Sequence, residues 1–93
     1  MRNEIPVRRT ISIMLKPPEW EEVKEIELKD LSIVQIMNAG LNPKSKGGSI
    51  DCFFLCPYLL NEEQLREIEP FLNETIEYNF DKYIYVLEAE QAA

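Results

Sequence analysis

The 93-residue sequence contains no histidine. That absence removes the commonest general base, the commonest metal ligand and every Ser-His or Cys-His nucleophile pair. Only two cysteines are present, and without histidine they fall short of a four-ligand zinc site. No apolar run approaches the roughly 18 residues that a membrane span requires, and residues 1–6 lack the apolar core of a signal peptide. These absences predict a cytoplasmic, non-enzymatic protein with no catalytic residue, no metal, no cofactor and no membrane partner. Basic residues are also scarce beyond the midpoint. Residues 51–93 hold two Lys/Arg against ten Asp/Glu, whereas residues 1–50 hold eight against seven.

What is present describes a folded domain. Hydrophobic residues make up 45% of the chain, with four Phe, four Tyr and one Trp, too many for a disordered segment. The length suits one domain over residues 1–93 with a single core. The net charge of −7 favours solubility and repels nucleic-acid phosphates, so any anion site must be local.

Hydrophobic periodicity orders the elements as ββαβαββ. Residues 5–15 place Ile5, Val7, Arg9, Ile11, Ile13 and Leu15 at alternate positions, the period of a strand with one buried face. Pro17 and Pro18 end it, and Trp20 in the following turn is expected to lie over the core. Residues 21–29 have good helix formers, yet Ile26 and Leu28 alternate with charges, which predicts a second strand antiparallel to the first. Asp30 or Ser32 caps a first helix that closes at Gly40. Residues 50–56, IDCFFLC, are apolar at nearly every position and read as a central strand ended by Pro57. Asn61 and Gln64 form a capping box for a second helix, which Pro70 interrupts. Residues 74–80 and 83–89 alternate as a terminal hairpin turning at Asp81-Lys82, and residues 88–93 are expected to fray. The fold class is α+β: a mostly antiparallel sheet of about five strands with two helices on one face.

Two stretches carry the functional candidates. The loop KSKGGS, with Lys44, Lys46, Gly47 and Gly48, resembles a phosphate cradle in composition, and Arg8 and Arg9 add cationic groups. A phosphate loop of that kind runs from strand to loop to helix, so that the helix N-terminus faces the anion. The order here is helix, loop, strand, and a backbone nest flanked by two ammonium groups is what remains. Cys52 and Cys56, four apart on a strand, stand about 13 Å apart on one face, beyond disulfide reach, which predicts buried, inert thiols. The acidic clusters read as solvated faces. Tyr78, Tyr83 and Tyr85 are the candidate interaction surface, because tyrosine buries much area and terminal hairpins leave an exposed strand edge.

These features point to a small acidic protein-binding module: a regulator, inhibitor or adaptor, of phage or mobile-element type, with a larger basic protein or a second copy of itself as partner. The alternative is a nucleotide- or RNA-binding domain built on Lys44, Lys46, Arg8 and Arg9.

Overall fold

The computed structural model describes residues 7–29, 31–51 and 54–91. It is an α+β fold with a four-stranded antiparallel sheet and two short helices. Strands β1 (Val7–Leu15), β2 (Glu22–Glu27), β5 (Tyr58–Leu60) and β6 (Tyr83–Gln91) lie in the order β2-β1-β6-β5. A separate hairpin joins β3 (Ser45–Lys46) to β4 (Ser49–Ile50). Two helices, α1 (Ile33–Asn38) and α2 (Glu62–Ile68), contribute to one side of the sheet.

The period-two pattern of β1 is realised. Ile11 and Ile13 face the core and register with Leu87 and Tyr85 of β6 on one side and with Ile26 and Lys24 of β2 on the other. Tyr58 and Leu60 of β5 complete that face opposite Leu87 and Tyr85. Ile36 of α1 and Leu65 and Ile68 of α2, all fully buried, close over it. Both helices begin as their sequences dictate. Ser32 with Gln35, and Asn61 with Gln64, form reciprocal capping boxes that satisfy amides otherwise left without partners. Gly40, at φ 98°, supplies the left-handed residue after α1. Pro70 shifts the end of α2 into a 3-10 turn over Glu69–Phe71.

The expected order ββαβαββ with about five strands in the sheet is not matched: the main sheet has four strands, and β3 and β4 form a separate hairpin. Four local expectations also need correction. First, the described residues among 50–56 form no central strand. Asp51 offers its carboxylate to the amides of Leu55 (2.8 Å) and Cys56 (3.0 Å), a local alternative to a ladder. Phe54, at φ 52°, turns the chain inward and is buried, while Cys56 is exposed. Cys52 lies outside the described residues. The sheet strand begins only after Pro57.

Second, the described residues form no terminal hairpin. Residues 73–79 have no ladder pairing, and β6 instead inserts between β1 and β5. Third, residues 88–91 are not frayed: they pair with β1 as far as Val7–Gln91. Fourth, Trp20 does not cover the core; it is 55% exposed in the β1–β2 turn.

The exposed thiol makes one expectation reverse. Cys56 should react with a thiol reagent in the native protein without denaturant, and peptide mapping should locate the label there. Protection of Cys56 until unfolding would mean residues 54–56 are packed as a strand after all.

Candidate functional site

The sequence-nominated residues fall into three separate places. Arg8 and Arg9 are adjacent on β1 and so project to opposite faces of the sheet. Arg9 is buried and donates to the carbonyl of Phe54 at 2.7 Å, fastening Phe54 to the sheet. Arg8 is exposed and paired with three carboxylates: Glu27 at 3.0 Å, Glu25 at 3.6 Å and Glu90 at 3.9 Å. Lys44 extends its Nζ over the Tyr58 ring, 4.8 Å from the centroid, and donates to the carbonyl of Pro57. Lys46 lies on β3, and Gly47 and Gly48 make the β3–β4 turn at φ 59° and 85°. The geometry does not gather Arg8, Arg9 and Lys44 around one anion position.

The region beside Lys44 is instead a hydrogen-bonded lock. The Tyr58 hydroxyl donates to Asp51 at 2.7 Å and accepts from the Lys44 amide at 2.9 Å. Burial, then the Asp51 acceptor, pushes the Tyr58 phenol up to about 12. Burial alone would raise Asp51, but donors from Tyr58, Cys56 and Leu55 outweigh it and hold the carboxyl below its ordinary value. These groups satisfy one another, which is the behaviour of a structural network.

Tyr78, Tyr83 and Tyr85 do come together, although not in a hairpin. With Phe80 they form a continuous ring cluster: Tyr78–Phe80 at 6.4 Å, Phe80–Tyr85 at 4.6 Å and Tyr83–Tyr85 at 6.4 Å. Tyr85 is fully buried; its hydroxyl donates to the Glu77 carbonyl at 2.6 Å and accepts from the Asn79 amide at 2.9 Å. It therefore holds residues 73–82 against the sheet. Tyr78 and Tyr83 are half-buried. Tyr78 donates to Glu69 at 2.6 Å with Arg66 stacked 4.5 Å over its ring, and burial together with that acceptor raises its phenol.

The most distinctive surface was not nominated from the sequence. Both helices lie on one side of the sheet, and among the described residues no side chain of the other face joins the core. Register assembles that open face. From β1 it takes Arg8, Thr10, Ser12 and Met14, and from β6 their partners Glu90, Glu88, Val86 and Ile84. On the β2 side, Glu27, Glu25 and Glu22 stand opposite Thr10, Ser12 and Met14. Glu22 reaches this face through a bulge that leaves Val23 without a partner. On the β5 side, Leu59 neighbours Val86 and is 64% exposed.

Carboxylate oxygens of Glu22, Glu25 and Glu88 all lie within 4.8 Å of one another. At that spacing two charges repel by about 1 kcal/mol in water and more near a low-dielectric surface. Ser12, fully buried between longer neighbours, donates its hydroxyl to Glu88. The arrangement offers three carboxylates to an ammonium or guanidinium group or to a metal ion. The alternation that places Glu88 and Glu90 with Ile84 and Val86 is visible in the tail sequence, but the register that sets them beside β2 is not.

No known protein family, curated protein or solved structure matches the chain.

Proposed function

We propose that this protein is a non-enzymatic binding module for another protein, and that the partner surface is basic. One observation carries the reading: the open sheet face sets an apolar patch, with Leu59 exposed and Met14, Ile84 and Val86 half-buried, beside five carboxylates, three of which pair with Arg8. Apolar side chains left on an unpartnered sheet face favour burial, and concentrated like charge favours a partner of opposite sign. The absence of histidine is consistent with binding rather than acid–base chemistry.

The test uses a photo-crosslinking amino acid at Leu59, on the open face, and at Met37, exposed on α1. In cells that make the protein, Leu59 should yield a discrete adduct with a basic protein, weakened by Glu25→Lys, while Met37 should not. Equal adducts from both positions, or adducts with nucleic acid alone, would reject the reading. An adduct between two copies of the chain would replace the basic partner by self-association.

A further inference from the structure

The open face is divided, and the division specifies what fits it. Met14 sits beside Ile84, and Leu59 beside Val86, so these side chains make one patch across β1, β6 and β5. The acidic groups border that patch on two sides, Glu22 and Glu25 along β2 and Glu88 further along β6. The β1 and β6 backbones are each paired with strands on both sides, so strand addition has no purchase at the centre of the patch. Recognition there must come through side chains standing off the sheet. With strands about 4.8 Å apart, a patch crossing three of them is roughly 10 Å wide, the girth of one α-helix.

Resting on the protein-binding reading above, we propose that the occupant is an amphipathic helix of another protein. Its apolar stripe lies on Met14, Ile84, Val86 and Leu59, and its lysine or arginine side chains reach Glu22, Glu25 and Glu88. Such a helix completes a second layer on the side of the sheet that no described helix covers, mirroring what α1 and α2 do on the other. It also brings cations to carboxylates that otherwise repel one another. A second copy of this chain suits the face less, because the copy also carries a net charge of −7. A bare metal ion would leave the apolar half uncovered.

The experiment titrates the 93-residue protein with three synthetic peptides of about four helical turns. One has leucines at helical spacing flanked by lysines; the second has glutamate for every lysine; the third has the first one's composition interrupted by proline. Backbone amide shifts are followed throughout. The lysine helix should shift Met14, Ser12, Ile84, Val86 and Leu59, and the shifts should weaken with added salt. Glu22→Lys combined with Glu25→Lys should reduce its affinity by about ten-fold or more while circular dichroism confirms an unchanged fold. The glutamate and proline peptides should bind at least as weakly as that variant does.

Equal binding of the proline-interrupted peptide would overturn the helix, as would shifts confined to the β2 or β5 edge or no shifts with any peptide at millimolar concentration. Each of these leaves the crosslinking result from Leu59 standing, so a failed helix is distinguishable from a failed protein-binding reading.

Discussion

Truncating Tyr85 to alanine is expected to lower the unfolding free energy by about 3–5 kcal/mol, the range for removing a buried aromatic side chain from a packed core. The ring is inaccessible to solvent, packs against Phe80 in a tilted arrangement at 4.6 Å and meets Tyr83 edge-on. Its hydroxyl adds a second contribution by bridging Glu77 and Asn79 of the segment that crosses above it. Tyr85→Phe isolates that contribution. It removes only the oxygen and leaves an amide and a carbonyl without their partner, which costs about 1–3 kcal/mol. Urea melting of both variants measures the two effects, and sedimentation at several concentrations shows whether association changes. Tyr85 belongs to the interior, so the association state should follow stability and show no separate loss. A Tyr85→Ala protein as stable as the parent would mean residues 73–82 do not pack on the sheet as described.

The second large effect is expected at Asp51. Its carboxylate accepts from Leu55, Cys56 and the Tyr58 hydroxyl, and together with Arg9 it holds Phe54 in a left-handed conformation that L-residues otherwise avoid. Asp51→Asn keeps the shape but loses the charge and one acceptor oxygen, so about 2–3 kcal/mol should be lost at neutral pH. The pH dependence has a definite sign. The folded protein holds Asp51 below its ordinary value of 3.8, so its contribution is complete above that pH and is lost as pH falls through the lower folded value. Acid unfolding below about pH 4 should therefore be steeper in the parent than in Asp51→Asn. Parallel acid curves for the two proteins would remove Asp51 from its role as the lock of this turn.

Local signals in the sequence were legible wherever a short stretch determines its own structure. The alternation around Ile11 and Ile13, the Ser32–Gln35 and Asn61–Gln64 capping boxes, and the break at Pro70 all act within one element, and the structure contains each of them. Residues 50–56 read as a strand by hydrophobicity, but the single aspartate among them decides the local structure. One side chain with several acceptor sites satisfied the amides that a strand would have paired. The tail misled for a different reason. Residues 74–80 alternate as well as β6 does, but Tyr85, Phe80 and Ile76 are partners in packing rather than in a ladder.

The open face was illegible because it is a property of register. Glu25, Ser12 and Val86 become neighbours only when β1 is flanked by β2 and β6, and nothing in any one segment encodes that adjacency. Arg8 and Arg9 show the same limit from the other direction. They are neighbours in sequence, yet one anchors a buried turn while the other lies among surface carboxylates.

The placement of β6 beside β1 also governs the order in which this protein can be made. Val7 pairs with Gln91 and Leu15 with Tyr83, so the middle of the sheet is assembled from the two most distant parts of the described chain. On a ribosome, β1 and β2 emerge early and can pair with each other, but the inner edge of β1 stays vacant until β6 leaves the exit tunnel. Through that interval the nascent chain displays Ile11 and Ile13 along an unpaired edge, the kind of surface that recruits chaperones or a neighbouring nascent chain. Closing so long a loop costs entropy before any contact repays it, which sets the pace of folding by chain topology rather than by helix formation. The last of the described strands to be synthesised is thus the one that completes the core.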